Sequence, residues 1–516
     1  MVKKSMKNEF GFTLPVKDAG KYRVHVVSGT HWDREWRFTA EQSKLRMAEV
    51  VDNVIEVMES MPEHHHFMLD GGSVVLEDYM TVRPQNRERL KALIESGRTP
   101  VVSWYTLPET NLVMGEALVR NLLIGRTVSK PFGGPMDSGY TATSYGQPAQ
   151  LPQIYKGFGI ESAIFYRGTN KQQVPPVCWW EAPDGSKVLF VRGFDEVTRA
   201  NWTYFAVKPI VDDTDGDQLK SLGYTYDAAD VPVHMADTEL YEMPFKGLED
   251  NTTIPTDPSS LRSAATCEAF LKEKYEIFRR VAYKQAIGNV VVGLDMEDNG
   301  FPWTEQPELI ERLNAILDDT EIVQSSMDEL LDAIREEIEG IDIHTAKGEF
   351  RYTLAEYGWN GLFGMTQSSR VKIKLLNERA ETNLVLAAEP LATFAEALGD
   401  AYPRANLDRA WLSLLKNHSH DSICGAGLDD VHRDMEYRFR QVRTVSQEVG
   451  KRSCEAIWKR INHSIFDADS QTLTVFNTLP CRRCGVREFV LDLPAEQYDT
   501  EGYQRMPVGY PYPFLF

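Results

Sequence analysis

The stretch Tyr22–Trp36, YRVHVVSGTHWDREW, decides the fold. Its first part, Tyr22 to Ser28, is an apolar run of strand length, which predicts a buried β-strand. His31 and Asp33 follow two positions apart, so in extended backbone both side chains leave the same face. By itself such a pair is more typical of a solvated loop. Its place at the C-terminal end of a strand favours half of a metal site.

Short apolar runs and amphipathic helices alternate from this stretch to about residue 340. Six apolar residues between Met47 and Met58 recur at helical spacing, and a second helix near 87–96 ends at Gly97. This alternation predicts a parallel sheet, open or closed into a barrel, with ligands at the C-terminal edge of its strands. Further strands are predicted at 67–69, 101–104, 163–166, 188–191 and 290–293.

The pattern changes twice after this region. From about residue 346 it indicates long helices, as in the regular apolar spacing from Val431 to Val449. After residue 466, apolar runs at 472–476 and 486–493 predict the first strands of a β domain. So few strands are marginal alone, and the sequence ends at Phe516, so we expect a truncated or split polypeptide. The predicted division is 1–345, 346–466 and 467–516.

Composition excludes several classes of function. The chain has 56 Lys and Arg against 76 Asp and Glu, a net charge of −20, which disfavours nucleic acid and anionic membranes. No apolar run reaches the ~18 residues of a membrane span, and the N-terminus lacks the apolar segment of a secretory signal. Six cysteines do not form a disulfide framework. We expect a soluble cytoplasmic protein, and a neutral substrate such as a sugar remains compatible.

Two further polar clusters carry possible chemistry. The block Asn417–Gly425, NHSHDSICG, lies at a break between predicted helices and suits either a metal ligand or helix capping. The strand that begins at Val290 ends in Asp295, Glu297 and Asp298. A carboxyl group at a strand end can act as a general acid when burial raises its pKa, or it can lie in a solvated loop.

Taken together and in this order, the clusters resemble family 38 glycoside hydrolases, the retaining α-mannosidases. The resemblance covers nearly the whole chain, up to Val475–Pro480 at the entry to the family's β-sandwich region. It implies an α/β, barrel-like catalytic domain of the seven-stranded type, a three-helix bundle and the beginning of a β-sandwich. The matching motifs are HWDREW from His31, FMLDGG from Phe67, WYTLP from Trp104, GEALVRNLL from Gly115, SYGQPAQLPQI from Ser144, FYRG from Phe165, GLD from Gly293, the segment Ser369–Glu381 and HSHD from His418.

The resemblance also implies a set of site residues. One zinc ion per chain would be held by His31, Asp33, His420 and the residue at 143. Asp295 would be the acid/base, with Glu297 and Asp298 as alternatives, and retaining chemistry puts the two reacting carboxyls about 5 Å apart. Residues at the substrate, an α-mannoside oligosaccharide, would be Trp36 and Tyr145 as aromatic faces, Arg167 beside the nucleophile and Asp421 on sugar hydroxyls.

One position departs from the family pattern. In Gly139–Gly146, GYTATSYG, Thr143 stands where the family has its nucleophilic aspartate. A hydroxyl is a far poorer nucleophile and brings no charge to the metal. Three interpretations remain: an α-mannosidase using Thr143 or a metal-bound water, a degenerate sugar-binding homologue, or a zinc hydrolase such as a deacetylase. A homo-oligomer, or a separate chain that completes the β domain, is the expected protein partner.

Overall fold

The computed structural model describes residues 4–141, 144–192, 199–211, 267–298, 300–352, 364–467 and 472–486. Among the helices of these residues, none combines the length and the apolar character needed to cross a bilayer. Thr143 lies outside the described residues, and so does most of the second predicted strand of the β domain, 487–493.

The strands are short except for two. β3 and β9 are the long ones, and both end in the polar residues that the sequence singled out. The strands in chain order are β1 (Ser5–Lys7), β2 (Thr13–Pro15), β3 (Tyr22–His31), β4 (Met68–Leu69), β5 (Gly139–Tyr140), β6 (Ser162–Phe165), β7 (Val177–Glu181), β8 (Lys187–Arg192), β9 (Val290–Asp298), β10 (Thr320–Gln324) and β11 (Thr345–Lys347).

Two mainly parallel sheets form the α/β part. β3 pairs in parallel with β4, β9 and β10. The second sheet has the order β11-β7-β8-β6-β5, in which only the pair β7–β8 is antiparallel. β1 and β2 form a separate antiparallel pair. The C-terminal ends of β3 and β9 therefore lie side by side, with His31 in register with Asp298.

Helices follow most strands and dominate the chain after residue 364. They are α1 (Ala40–Ser60), α2 (Val74–Val82), α3 (Arg87–Glu95), α4 (Gly115–Ser129), α5 (Leu151–Gly157), α6 (Lys208–Val211), α7 (Glu268–Ala282), α8 (Gln306–Ile316), α9 (Met327–Glu337), α10 (Gly364–Ser368), α11 (Val371–Glu381), α12 (Glu389–Ala397), α13 (Arg404–Asn417), α14 (His420–Cys424) and α15 (Asp429–Trp458). Single π-helical stretches, Thr203–Val207 and Thr382–Ala388, precede α6 and α12.

Local sequence explains the helix that supports β3. Thr39 and Gln42 form a capping box at the start of α1. The six apolar residues predicted from their spacing, including Met47, Val51 and Ile55, are all buried in one core cluster, with side chains from β4 and α2. Trp32, the residue that follows His31, belongs to the same cluster.

The described residues fall into two compact units. One comprises Met1–Leu375 and Leu415–Glu436, and contains both sheets and the candidate site. The other comprises Leu376–Leu414 and Tyr437–Phe516, and its described secondary structure is helical. The domain limits predicted from the sequence, at 345/346 and 466/467, stay a prediction.

Most predicted elements of the α/β region are confirmed. Two predicted strands are not, one in this region and one in the predicted β domain. Val101 makes only an isolated bridge with Leu69, so the run 101–104 is not a strand. Residues 472–476 carry no regular structure and form no strand pair with another described residue. A mixed α/β fold followed by helices is confirmed; closure into a seven-stranded barrel and a bundle of three helices stay predictions.

Gly29 offers a test of how closely β3 and β4 approach. A Cβ atom at this position would lie 2.6 Å from the backbone oxygen of Met68. We expect Gly29→Ala to lower the midpoint of thermal unfolding by several degrees, since overpacking of this kind costs about 1–3 kcal/mol. The matched control is Gly115→Ala, because a Cβ there meets nothing within 4 Å. Equal midpoints for the two variants would contradict this account of the strand pair.

Candidate metal centre and sugar site

Three side chains from distant parts of the sequence meet at the end of β3. His31 ends the strand, Asp33 follows it, and His420 begins α14. Their ligand atoms all lie within 4.8 Å of one another. The Nε2 atoms of His31 and His420 lie 2.9 Å and 3.4 Å from Asp33 Oδ1. The sequence-predicted ligands His31, Asp33 and His420 are therefore brought together.

A fourth residue, Asp70, orients His31. It follows β4, the strand beside β3, and both of its oxygens lie 3.0 Å from His31 Nδ1. Asp70 is held in turn by the Trp32 backbone N–H at 3.0 Å and by the Tyr140 hydroxyl, which donates at 2.9 Å. A carboxylate on the far nitrogen of a metal-binding histidine fixes its tautomer and ring orientation. With Asp70 on Nδ1, His31 presents Nε2 to the cluster.

The electrostatics of the cluster favour a positive charge between these residues. Burial alone would lower the pKa of His31, but the Asp70 and Asp33 carboxylates outweigh it and raise that pKa to about 9. Burial also opposes ionisation of Asp33, yet His31 and His420 hold its pKa below the usual range. Burial lowers the pKa of His420 to about 3, so this imidazole is neutral, the form that binds metals.

A divalent cation fits the residues present. Asp33 Oδ1 is buried and accepts no well-aligned hydrogen bond from the described residues, although two imidazole nitrogens are near it. A buried carboxylate oxygen between two imidazole nitrogens is a place where a cation can bind. Two imidazoles and one carboxylate are also a ligand set typical of zinc with an open position.

Aromatic and charged groups border the cluster. Tyr145 is 7% exposed, and its hydroxyl donates to Asp421 Oδ1 at 3.3 Å. The Arg167 guanidinium lies 4.5 Å from the centre of the Tyr145 ring, a cation–π contact. The Asp421 carboxylate lies 3.6 Å from His420 Nε2, and burial raises its pKa well above the usual value, helped by Asp33. Three predicted substrate residues therefore lie together beside the metal ligands.

Trp36 lies three residues after Asp33, and its backbone is hydrogen-bonded to the loop after α14. Its carbonyl accepts from the Leu428 N–H at 3.1 Å, and a Cβ on Gly427 would lie 3.2 Å from the same oxygen. The Trp36 side chain is half-buried and carries the Arg37 guanidinium 5.8 Å from its ring centre. Its predicted contact with a sugar stays a prediction.

Asp295 and Asp298, near the end of β9, lie on opposite faces of the strand. Asp295 is in register with Ser28 and Asp298 with His31, and partners in a parallel pair project to the same side. By this register, Asp298 shares the face of His31 and Asp295 the opposite one. Asp295 Oδ1 accepts from the Thr203 hydroxyl at 2.5 Å. Asp298 forms an ion pair with Arg199, whose Nη1 donates to the Tyr166 hydroxyl at 3.0 Å.

Sequence reasoning missed several residues of this site. Asp70 was visible within the motif FMLDGG after β4, where an acid at a strand end was a usable signal. Tyr140 and Arg199 carried no signal, because their roles depend on which strands are neighbours. Glu109, a fully buried carboxyl under Tyr145, lies one residue after the motif WYTLP and was passed over.

Models of known protein families match two parts of the chain. Residues 21–353 match the model of the glycosyl hydrolases family 38 N-terminal domain. The chain belongs to this family. Residues 359–457 match the alpha mannosidase middle domain. Both matches agree with the order of elements described above, an α/β part followed by helices.

Individual relatives extend the comparison. An alpha-mannosidase from Enterococcus faecalis V583 is 29% identical, with a TM-score of 0.67 over 87% of this chain and 44% of its own. A second Enterococcus faecalis protein of glycosyl hydrolase family 38 is 26% identical, with a TM-score of 0.61 over 87% and 42%. A Halalkalibacterium halodurans protein, provisionally named a mannosylglycerate hydrolase, is 26% identical over 82% of this chain and 41% of its own. The chain thus spans less than half the length of these relatives.

Asp70 gives a test of the centre that does not require turnover. We expect Asp70→Asn to weaken zinc binding by about 10- to 100-fold, because the amide cannot hold His31 in the same way. The measurement is zinc retained after dialysis against a graded chelator. The control is Asp52→Asn, which removes a carboxylate from an unrelated network with Tyr79 and Arg83. Zinc retention that is equal in the two variants would argue against the orienting role of Asp70.

Proposed function

We propose that the chain is a zinc-dependent, retaining α-mannosidase-type glycoside hydrolase that acts on terminal α-mannosides. The observation that carries this proposal is the convergence of His31, Asp33 and His420 beside Tyr145, Arg167 and Asp421. Membership of family 38 supports it. The three ligands would hold one zinc ion, which supplies a Lewis acid able to grip neighbouring sugar hydroxyls. The Thr143 hydroxyl is the proposed fourth group at the metal.

The protein's own residues would bind and orient the sugar. Tyr145 offers an apolar ring of the kind that packs on a hexose, and its orientation is fixed by Asp421 and Arg167. The Asp421 carboxylate can accept hydrogen bonds from sugar hydroxyls, and Trp36 would supply a second aromatic face. These groups are buried or half-buried, so they exclude water from the reacting bond and strengthen each polar contact.

The acid/base assignment stays with Asp295, and Asp298 is the competing residue. Asp298 lies on the face of His31, but its guanidinium partner Arg199 favours the ionised form. A general acid must carry a proton to the glycosidic oxygen. For Asp295 the assignment comes from the family resemblance, and its side chain accepts a hydrogen bond from the neutral Thr203 hydroxyl. Glu297, which is buried, is the further alternative.

Two asparagine variants separate these carboxylates. We expect Asp295→Asn to lower kcat/KM for an unactivated α-mannoside by about 100-fold or more, since general acid catalysis contributes on the order of 10²–10⁴. Its effect should be much smaller on an aryl mannoside with an acidic leaving group, which needs less protonation. Asp298→Asn should lower both rates equally, because it disturbs Arg199. A leaving-group dependence that appears in Asp298→Asn instead would assign the acid to Asp298.

A second candidate function is sugar binding without efficient cleavage. The observation that favours it is Thr143, in place of the family's aspartate. His31, Asp33, His420, Arg167 and Asp421 belong to other segments, and Tyr145 is present two residues after Thr143, so these groups are available in either case. The zinc-hydrolase alternative, a deacetylase, gains no support from the sugar-binding surroundings.

Restoring the carboxylate distinguishes the two candidates. We expect Thr143→Asp to raise kcat for an aryl α-mannoside by about 100-fold or more, because a covalent nucleophile accounts for several powers of ten in rate. EDTA should abolish the activity and zinc should restore it, and Thr141→Asp is the matched control. Mannosylglycerate is the second substrate to assay, after the name of the Halalkalibacterium relative. No activity in zinc-loaded Thr143→Asp on either substrate would refute the hydrolase proposal.

A further inference from the structure

The segment Leu107–Asn111 lies between two parts of the candidate site. On one side it holds the start of α14, which carries His420. The His420 N–H donates to the Leu107 carbonyl at 2.9 Å, and the Glu109 N–H donates to the His418 carbonyl at 3.1 Å. Pro108 forms an antiparallel bridge with Ser419. All of these contacts are made by the backbone, so they do not depend on the Glu109 side chain.

On its other side, the same segment holds the loop that carries Tyr145. Glu109 Oε2 accepts from the Tyr145 N–H at 2.5 Å. Thr110 adds two contacts, a hydroxyl that donates to the Gly146 carbonyl at 2.8 Å and an N–H that donates to Ser144 Oγ at 3.1 Å. Here the Glu109 side chain is the direct link to the residue that would meet the sugar.

Glu109 is an unusual choice for a merely structural link. Its side chain is completely buried, and an ionisable group in such a place is costly unless hydrogen bonds compensate for the lost water. Its second oxygen, Oε1, accepts from the Asn111 N–H at 3.3 Å. Burial raises the pKa of Glu109 to about 7, while the hydrogen bonds from Tyr145 and Asn111 and the nearby Arg167 act in the opposite direction. A neutral side chain could pack here at lower cost.

We propose that Glu109 is a positioning residue for the sugar site, fixing the backbone at Tyr145 and with it the ring and hydroxyl that contact Arg167 and Asp421. This inference rests on the proposed function, because it assigns Tyr145 to a hexose. The proposal assigns sugar binding and metal binding to different parts of the segment 107–111. Sugar affinity depends on the Glu109 carboxylate, whereas the metal ligand His420 is held through the backbone of the same segment.

The decisive variant is Glu109→Gln, which keeps the shape of the side chain. Glutamine has one acceptor oxygen where glutamate has two, so either Tyr145 or Asn111 faces an NH2 group in place of an acceptor. We expect the Kd for methyl α-mannoside, measured by calorimetry on zinc-loaded protein, to rise by about tenfold, the effect of one lost buried hydrogen bond. The zinc content should stay unchanged, and hydrogen exchange should quicken in the peptide that contains Tyr145.

The matched control is Glu116→Gln, on the exposed side of α4, where Glu116 pairs with Arg120. It should leave all three measurements at the wild-type level. If Glu109→Gln does not fold, Glu109→Asp, which keeps the charge but withdraws it by one methylene, is measured in its place, with the same expectations.

Three results would overturn the inference. Unchanged mannoside affinity in the Glu109 variant, with a wild type that binds, removes the positioning role alone. Loss of both zinc and mannoside affinity in the Glu109 variant would show that Glu109 supports the whole site and not the position of Tyr145 in particular. If neither the wild type nor Glu116→Gln binds the mannoside, the proposed function is wrong and the inference falls with it. Failure of the inference alone therefore differs from failure of the proposed function in whether the wild type binds.

Discussion

The site depends on one constraint, the negative charge of the two carboxylates that contact His31. Two carboxylates, Asp33 and Asp70, lie within 3.0 Å of its ring nitrogens in a buried setting. Buried like charges are costly unless a cation lies between or beside them. A protonated His31 offsets the two carboxylates, and a divalent ion held by Asp33, His31 and His420 would supply positive charge at the same place. The fold is therefore arranged around a place for positive charge at the end of β3.

That place is assembled from segments that the fold, not the sequence, makes neighbours. Asp70 reaches His31 because β4 pairs with β3, and His420 reaches it because the backbone of Leu107 and Pro108 holds the start of α14. The parallel arrangement puts the C-terminal ends of β3 and β9 together, which brings Asp298 level with His31. The contacts of Asp70 and Asp298 with this site depend on strand order, whereas that of His420 depends on a backbone contact between two loops.

This dependence explains what the sequence could and could not predict. The apolar run before His31 and the helical spacing from Met47 to Met58 are local patterns, and the elements they predict are present. The candidate metal ligands His31, Asp33 and His420 were predicted because their residue types and order resemble a known family. Arg199 and Glu109 were not, since a half-buried arginine and a buried glutamate are recognised only by their neighbours. The run 101–104 failed as a strand because strand formation requires a partner as well as an apolar run.

Binding and turnover have separate physical requirements in such a site. In the proposed site, the cation would be held by Asp33, His31 and His420, and the sugar would meet an oriented aromatic ring and a carboxyl group, the roles proposed for Tyr145 and Asp421. Covalent catalysis adds one further carboxylate, and the residue at 143 is a threonine. Strand pairing positions His31, and the segment 107–111 positions His420 and Tyr145. Under the proposed function, a threonine at 143 removes both the nucleophile and one negative charge at the metal, so cleavage loses most and metal binding weakens, while the groups proposed to meet the sugar are still present.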